Sequence, residues 1–404
     1  MVPSSDEVRL TLSRTFSALR IHNYRRYAIG QSVSLCGIWM QRVAQAWLVL
    51  ELGGSGTDVG VVTALQSLPL LVLGAWAGVV VDRVDKRRLL LVTQGVAGLL
   101  ALGLGLLTAS ASVQVWMVMA LALGLGVVEA LDKPVRQSLV MEMVGPGDLL
   151  NAVTLNSVAV NAARMIGPAL AGVLIATAGT AVCFLVNAGS YVVAVGFFAS
   201  MREADLERAA VLPRGPGQLR EGLVYAWRTS ALRAPLLLMA VVGALAYEFQ
   251  VTLPLMARYV FDGDAGTYAA MTACMGLGAV VAGLLLAGSS RFQHRSLPGA
   301  ATVFGALILV AAIAPSLVLE LLALVGVGAG SIAFLALANT RLQLAALPEM
   351  RGRVMALWSI AFLGTTPFGG PLVGWISEHL GPRVGLALGG VAAIAAAAGL
   401  ARKP

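Results

Sequence analysis

The sequence predicts an all-α membrane protein with twelve transmembrane helices, arranged as two six-helix bundles related by a pseudo-two-fold axis along the membrane normal. Three observations predict this fold: a shortage of charge, twelve apolar runs of spanning length, and an internal repeat. Of the 404 residues, 58% are hydrophobic and 12% are charged, whereas ordinary soluble domains carry about 25% charged residues. So little charge cannot cover the surface of a globule of this size, which excludes a water-soluble enzyme.

The apolar runs place the twelve predicted helices along the chain. A transmembrane helix needs about 20 apolar residues, and the breaks between runs hold the Gly, Pro, Asp and Arg residues typical of connections. Runs such as 89–107 are continuously apolar, which excludes the alternating pattern of membrane β-strands. The predicted spans are 27–50, 58–81, 89–109, 113–131, 151–177, 180–200, 235–260, 267–288, 298–314, 316–338, 354–376 and 384–401.

The remaining segments divide the chain into four parts. Residues 1–26 have scattered arginines and no short apolar core before a cleavage site, so we expect a cytoplasmic amphipathic segment rather than a signal peptide. Residues 27–200 form the predicted N-terminal six-helix bundle and 235–404 the C-terminal one. Between them, 201–234 reads as a cytoplasmic linker that includes a surface helix over Leu219–Trp227.

The basic residues predict the orientation of the spans. With the N-terminus placed inside, the connections and chain ends on the inner side hold 24 of the 28 Lys and Arg residues. The positive-inside rule therefore predicts that both termini are cytoplasmic. The net charge of +8 is explained by these basic residues, which we expect to face the anionic headgroups of the inner leaflet. We therefore expect no nucleic-acid partner.

The two halves of the chain share short sequence matches in the same order. The pair Gly56-Thr57 before span two matches Gly266-Thr267 before span eight, and Gly167-Pro168 in span five matches Gly370-Pro371 in span eleven. The offsets are 210 and 203 residues, and a nearly constant offset in the same order indicates a duplicated six-helix unit. Two such units are typical of a secondary transporter that rocks around a central site.

Two stretches resemble the major facilitator superfamily. The segment after span two, Gly78-Val-Val-Val-Asp82-Arg83-Val-Asp85-Lys86-Arg87-Arg88, is similar to the superfamily's loop signature, with Asp85 where Gly is usual. A longer region resembles the branch of enterobactin exporters and macrolide efflux pumps. Its carrying residues are Ala130-Leu-Asp132-Lys-Pro134-Val-Arg136-Gln137, Leu150-Asn151-Ala, Leu155-Asn156-Ser157 and Ala163-Arg164-Met-Ile-Gly167-Pro168-Ala-Leu-Ala-Gly172. Gly30-Gln31 and Trp39-Met40-Gln41 in span one fit the same branch.

The resemblance implies a function and a set of partners. It implies export of a small amphipathic molecule, such as a drug, siderophore or secondary metabolite, by alternating access coupled to proton antiport. The expected setting is the bacterial inner membrane, as a monomer surrounded by lipid. We expect no enzymatic activity, cofactor or metal, since no phosphate loop and no His/Cys/carboxylate spacing is present.

The resemblance also implies a conformational latch. In the superfamily, the cluster after span two holds the halves together on the cytoplasmic side when the outer side is open. In this sequence its residues are Gly78, Asp82, Arg83 and Arg87, which Glu129 or Asp132 at the end of span four would join. A basic inner loop that only fixes topology is the alternative.

Glu248 in span seven is the candidate proton carrier, because it is the one acidic residue near the middle of a predicted span. Burial and a nearby arginine would shift its protonation in opposite directions, which suits a carboxyl that loads and releases a proton. A permanent structural salt bridge is the alternative. The 210-residue offset maps Glu248 to position 38, about one turn from Arg42, so we expect that an Arg42–Glu248 pair can form.

Arg164 near the middle of span five needs a partner or water, because a charge there costs about 2.5–3.5 kcal/mol. Asn161 lies three residues away on the same face. We expect a polar cavity wall that binds substrate, or alternatively an interhelical clamp. Gln31, Gln45 and Arg42 are candidate cavity residues on span one, with snorkelling to the interface as the alternative for Arg42.

Trp39 and Tyr247, with Phe249, are the candidates for an aromatic wall, and lipid-facing packing is the alternative for Trp39. Gly167-Pro168 and Gly370-Pro371 predict helix kinks or close packing. Glu320 is expected at a solvated helix end.

Two other function classes stay open at this point. One is a lipid or lysolipid flippase on the same fold, which would need a lateral opening between helices. The other is a non-transporting receptor or scaffold, for which the linker around Leu212–Gly217 is short.

Overall fold

The chain is described here from a computed structural model, which covers residues 16–206, 218–287 and 296–401. Within these ranges the regular structure is helical. The helices are α1 His22–Glu51, α2 Gly56–Arg83, α3 Lys86–Ala109, α4 Val115–Ala178, α5 Thr180–Ala199, α6 Gln218–Arg228, α7 Ser230–Leu245, α8 Phe249–Tyr259, α9 Ala265–Ala287, α10 Leu297–Ala312, α11 Leu317–Ala345, α12 Arg351–Leu363, α13 Thr366–His379 and α14 Pro382–Ala401.

Most of these helices have the length and composition of membrane spans. Ten helical stretches of the described chain are long and apolar enough to cross a membrane, with α7–α8 and α12–α13 each forming one stretch. One of them, α4, has 64 residues, which at about 1.5 Å per residue is far longer than a bilayer is thick. The helical structure and the apolar, membrane-spanning lengths confirm the prediction of a multi-pass, all-α membrane protein.

The α4 helix is broken once, at Gly145. This glycine has φ of 63°, in the left-handed region, and Pro146 follows it, so one helix ends and another begins there. We call residues 115–144 the first arm and 146–178 the second arm. The prediction that span four ends at residue 131 and is followed by a loop over 132–150 is wrong. The helix runs on because Glu129 pairs with Lys133 at 3.0 Å and Asp132 pairs with Arg136, each one turn apart.

Two predicted spans are divided instead of continuous. The span 235–260 breaks between α7 and α8 at residues 246–248, and the span 354–376 breaks between α12 and α13 at residues 364–365. Of the two alternatives predicted for Gly370-Pro371, a kink or close packing, the structure shows close packing, since a Cβ at Gly370 would lie 2.9 Å from the carbonyl of Gly60. The break in this span comes earlier in the chain, before Pro367 in the first turn of α13. A proline there costs no helical hydrogen bond, because the amides of the first turn have no acceptor within the helix. Gly167 and Pro168 lie inside the continuous second arm of α4.

The helices pack in the same pattern within each half of the chain. In the first half α1 and α3 contact α5, and α2 contacts the first arm of α4. In the second half α7 and α10 contact α14, and α9 contacts α11. Glycines make the closest of these approaches: a Cβ at Gly126 of α4 would strike the backbone of Gln66, and one at Gly328 of α11 would strike that of Met275. The second half thus repeats the contacts of the first.

Two helix pairs make the most extensive contacts between the halves. We call the end of the molecule where the described chain starts, at Phe16, the near end, and the end where α1 finishes the far end. From the middle to the far end, α2 packs on α13 through Gly60 and Gly370, and the second arm of α4 packs on α9 through Gly172 and Ala269. The largest cluster of buried apolar residues spans both halves and includes 46–50 of α1 and 255–257 of α8.

Two other predicted segments lie at the ends or in the connections. The surface helix predicted at Leu219–Trp227 is observed as α6, whose Glu221 pairs with Arg353 at 2.8 Å. Of the predicted amphipathic segment 1–26, only the part from residue 16 is described, and α1 already begins at His22. The linker centre Leu212–Gly217 lies outside the described residues.

A matched pair of glycine substitutions tests the packing of α9 on α11. A methyl group at Gly278 would meet the carbonyl of Val325, so Gly278→Ala is expected to destabilise the protein by about 1–3 kcal/mol. At Gly189 of α5 no atom lies within 4 Å of the added methyl group, so Gly189→Ala is expected to preserve stability or raise it slightly. The midpoint of thermal unfolding of the purified protein in detergent measures both. Equal midpoints for the two variants would contradict this packing.

Candidate functional site: a charged cavity between the halves

A cavity of about 210 Å³ lies between the two halves of the chain. One water molecule needs about 10–15 Å³ by the same kind of measure, so this cavity holds several. The wall contributed by the first half consists of Trp39, Arg42, Thr63, Gln66, Ser67, Leu70, Glu129, Lys133 and Arg164. The wall contributed by the second half consists of Tyr247, Glu248, Phe249, Gln250, Leu253, Tyr268, Thr272, Met275, Gly276, Ala279, Ser331, Phe362 and Thr366.

Glu129 is the centre of a charge cluster on the first-half wall. Its carboxylate accepts hydrogen bonds from Arg42 at 3.2 Å and from the amide of Gln66 at 3.3 Å, and it pairs with Lys133 at 3.0 Å. Its side chain is 15% exposed and that of Arg42 is 21% exposed, so the pair borders the cavity and is shielded from bulk water. The Arg42–Glu248 pair that the sequence allows is not formed in this structure, because Arg42 is bound to Glu129.

Trp39 lies between two guanidinium groups. The ring centroid is 4.9 Å from Cζ of Arg42 and 5.0 Å from Cζ of Arg164, which is cation–π distance for both. Helix α1 carries the ring into the cavity because Gly167 lets the second arm of α4 approach: a methyl group there would be 2.6 Å from Cβ of Trp39. Lipid-facing packing of Trp39 is excluded by this position.

Arg164 differs from Arg42 in its partners. Its Nε is buried and has no hydrogen-bond partner among the described residues. No ion pair of Arg164 with a described carboxylate is observed, and Trp39 supplies its close electrostatic contact. The guanidinium is thus an incompletely paired cation inside the cavity wall.

Glu248 occupies the break between α7 and α8. It is the N-cap residue of α8, and its backbone carbonyl accepts from the amides of Val251 and Thr252, both at 3.0 Å. The residue is 4% exposed, and its Oε1 has no hydrogen-bond partner among the described residues. Irregular backbone at membrane depth is tolerated where it borders a cavity, and broken helices of this kind form binding sites in transporters.

The aromatic wall forms on one side only. Tyr247 contacts Phe249 edge-on at 6.2 Å and Phe362 at 4.9 Å between ring centroids, and its hydroxyl donates to the carbonyl of Ser331 at 3.0 Å. Trp39 faces them from the other half without a ring contact to them, since the two arginines hold it. The predicted wall of Trp39, Tyr247 and Phe249 is thus split across the cavity.

Three predicted cavity residues lie outside the wall. Gln31 precedes Trp39 by eight residues, which turns it about 80° away from the cavity face, and it is buried in the packing of α1. Gln45 is buried one turn beyond Arg42, where the halves close on each other. Asn161 lies one turn from Arg164 toward the near end, and its amide donates to the carbonyl of Ser157 in its own helix.

The predicted latch is only partly assembled. Glu129 lies at the cavity, and Asp132 is buried between Thr93, Gln94 and Arg136, because the first arm of α4 extends past them. Arg87 binds Glu203 at 2.5 Å and the carbonyl of Ala199, all within the first half. Glu129, Asp132 and Arg87 do not bridge the halves in this structure, which is closed at the far end, so their role in a latch of the opposite state stays a prediction. Gly78 lies in α2, Arg83 is exposed at the end of that helix, and the side chain of Asp82 is outside the described structure, so their role stays a prediction.

Several residues that line the cavity were not predicted as site residues from the sequence. Lys133 was assigned to a loop, and Gln66, Thr63 and Thr366 were not singled out, yet all four line the cavity. Gln66 had a usable signal, since it is a polar residue eight positions into an apolar run. Glu320, expected at a solvated end, is fully buried at the start of α11 with Arg383 nearby. Among the described residues no group of His, Cys, Asp or Glu is arranged to hold a metal ion.

Comparison with known proteins identifies the family. Residues 13–403 match the model of the family described as transmembrane secretion effectors. The chain belongs to this family of the major facilitator superfamily. It is 27% identical to the staphyloferrin A transporter of Staphylococcus aureus over 62% of this chain and 63% of the relative, so the match spans just under two thirds of that protein. It is 26% identical to the multidrug efflux pump Tap of Mycolicibacterium fortuitum over 84% and 85% of the two chains.

Solved structures agree at the level of the fold. A bacterial homologue of the human lysosomal transporter Spinster, inward-facing and unoccupied, superposes with a TM-score of 0.71 at 15% identity over 94% of each chain. A nucleoside transporter superposes with a TM-score of 0.74 at 10% identity over 94% of this chain and 98% of its own. The chain is thus a multi-pass membrane transporter of the major facilitator superfamily and not an enzyme.

A double-mutant cycle tests the ion pair in the cavity wall. Glu129→Gln takes the carboxylate partner from Arg42, and Arg42→Gln takes one of two cationic partners from Glu129, so the two changes together are expected to cost less stability than the sum of the single changes. We expect a coupling free energy of about 1–3 kcal/mol from thermal unfolding in detergent. The matched control is the pair Arg87 and Glu203, which is also an arginine–glutamate contact but has a half-exposed carboxylate. Its coupling is expected below about 1 kcal/mol, and equal coupling in both cycles would contradict the shielded position of Glu129.

Proposed function

We propose that this transporter exports a small amphipathic molecule from the cytoplasm by alternating access, in exchange for protons. The observation that carries the proposal is the cavity between the halves. Its wall combines a buried carboxyl, Glu248, whose Oε1 has no hydrogen-bond partner among the described residues, with an incompletely paired cation, Arg164. Ionisable groups inside a membrane typically mark a pathway for ions or substrate. The substrate class is a drug, a siderophore or a secondary metabolite.

The fold proposed for this function has twelve transmembrane segments in two six-helix bundles, over residues 27–200 and 235–404. The repeated contacts within each half support it. Gly167 packs beside Trp39, and in the second half Gly370 packs beside Glu248, with a Cβ placed there 3.5 Å from Oε2. Trp39 and Glu248 are also counterparts, to within one residue, under the 210-residue offset. A pseudo-two-fold axis along the membrane normal relates these positions.

The proposed orientation places the near end in the cytoplasm of a bacterial cell, with both termini on that side of the inner membrane. The basic residues Arg83, Arg87, Arg88 and Arg202 lie at the near end, as the positive-inside rule requires. The halves approach closely from the middle to the far end, so the substrate would enter the cavity from the near end. We expect the protein to act as a monomer.

Several residues of the wall have proposed roles. Glu248 carries the proton, since its carboxyl lies in the helix break beside the cavity. Arg164 and Tyr247 contact the substrate from opposite halves, and Trp39 offers its ring to an apolar part of the same molecule. Arg42 is held by Glu129 and shapes the wall next to Trp39.

Transport into inverted membrane vesicles tests the proposed function. Vesicles containing the protein are expected to accumulate a candidate drug or siderophore when a pH gradient, acid inside, is imposed, and to lose this accumulation when the gradient is collapsed. The gradient supplies the free energy only if proton movement is coupled to the substrate. Equal accumulation with and without the gradient would contradict proton antiport, and movement of lipid analogues alone would favour a flippase.

Glu248→Gln tests the proton carrier. The amide keeps the shape of the side chain but cannot bind and release a proton, so gradient-driven accumulation is expected to fall to background. The matched control is Glu320→Gln, because Glu320 is also a fully buried glutamate but lies outside the cavity wall. It is expected to keep gradient dependence, with size-exclusion profiles confirming that both variants are folded. Unchanged gradient dependence in Glu248→Gln would remove this residue from the mechanism.

A further inference from the structure

Glu378, near the end of α13, reaches across the boundary between the halves at the far end. Its Oε2 accepts two hydrogen bonds from Thr57 of α2, one from the backbone amide at 3.1 Å and one from the hydroxyl at 2.5 Å. Glu378 is exposed and Thr57 is half-buried, and the contact between them is open to solvent. The bond joins residues 321 positions apart in the chain, one in each half.

The start of α2 is built to receive this carboxylate. The first amides of a helix have no partner inside the helix. Ser55 and Asp58 form a capping box that satisfies the amides of each other, at 2.8 and 3.2 Å. Thr57 lies between them, and its amide is satisfied from the other half of the protein by Glu378.

The position of Glu378 is unfavourable within its own helix. The carboxyl end of a helix carries a partial negative charge, which disfavours an acidic side chain there, whereas the amino end of α2 is partially positive and favours one. Glu378 lies in the last turn of α13 and points to the first turn of α2. Its electrostatic benefit therefore exists only while the two helices are together.

Backbone contact brings the two helix ends together. Gly56 and Gly60 of α2 face Gly374 and Gly370 of α13, and a Cβ at Gly56 would lie 2.8 Å from the carbonyl of Gly374. These glycines let the helices approach backbone to backbone. Separation of the halves at the far end would pull the carboxylate of Glu378 away from Thr57.

We propose that Glu378 and Thr57 form a clasp that holds the far end closed and is released whenever that end opens. The clasp sets the balance between the two access states without contacting the substrate. This inference rests on the alternating access proposed above. To that mechanism the clasp adds a contact between Glu378 and Thr57, distant from the cavity, whose strength decides how often the outer side opens.

Cysteine labelling tests the clasp. In a background with Cys36, Cys183 and Cys274 replaced by alanine, Thr63→Cys places a reporter on the cavity wall. A membrane-impermeant maleimide is applied to intact cells, which reports the far side, and to inverted vesicles, which report the near side. Glu378→Ala is expected to raise labelling from the far side about fivefold, the change that corresponds to one lost capping bond of about 1 kcal/mol, and to lower it from the near side. Glu378→Gln loses the negative charge but keeps an oxygen that accepts from Thr57, so it is expected to shift labelling in the same direction by a smaller factor.

Glu51→Gln is the matched control. Glu51 is also an exposed carboxylate at the far end, and it accepts a threonine hydroxyl bond, from Thr180 at 3.0 Å, but both residues belong to the first half. This variant is expected to label like the parent protein. Equal labelling of the Glu378 variants and the parent would overturn the clasp, as would an equal increase in Glu51→Gln.

A cross-link gives the reverse test. The pair Thr57→Cys and Glu378→Cys is expected to form a disulfide under mild oxidation that stops transport and abolishes far-side labelling, with both restored by a reductant. The pair Glu51→Cys and Thr180→Cys is expected to cross-link without loss of transport. Full transport in the cross-linked Thr57/Glu378 variant would overturn the clasp. If the parent protein moves no substrate in vesicles, the proposed function fails instead, independently of either labelling result.

Discussion

A charge within the thickness of a membrane must meet an opposite charge or water, and this constraint organises the centre of the molecule. Glu129 meets Arg42 and Lys133, while Asp132 meets Arg136 and Gln94. Two other features of the centre serve the same requirement. Close contacts at glycines bring the helices near enough for charged groups to pair, and the cavity gives water access to Arg164 and Glu248, which are not fully paired. The broken helices α7–α8 and α12–α13 border the same space, where exposed backbone can be hydrated.

The second half of the wall is chemically different from the first. The first half supplies Arg42, Glu129, Lys133 and Arg164, whereas the second half supplies aromatic rings around Tyr247 and the single carboxyl of Glu248. The wall thus has two unlike faces, one charged and one largely aromatic around a single carboxyl. This contrast is what supports the amphipathic substrate proposed above.

The sequence was informative where a feature is local. Apolar runs located the membrane-spanning helices, and the loop signature after span two led to the family. Arg42, Trp39, Arg164, Tyr247 and Glu248 were all identified as cavity residues from their depth in the spans. The partners were not predictable, because a partner depends on helix rotation. Gln31 and Gln45 share a helix with Trp39 but face packed protein. The break at residues 246–248 has no glycine or proline to mark it, and tertiary contacts must stabilise it.

The first arm of α4 carries Glu129, Asp132, Lys133 and Arg136 within eight residues of one helix. A segment with four charges is a poor candidate for independent entry into the lipid during synthesis, since each costs about 2.5–3.5 kcal/mol at the centre of the bilayer. Its two internal pairs, Glu129–Lys133 and Asp132–Arg136, are each spaced one turn apart within the same helix. The four charges of this stretch therefore sum to zero without a contribution from a neighbouring helix, which lowers the cost of holding them at membrane depth.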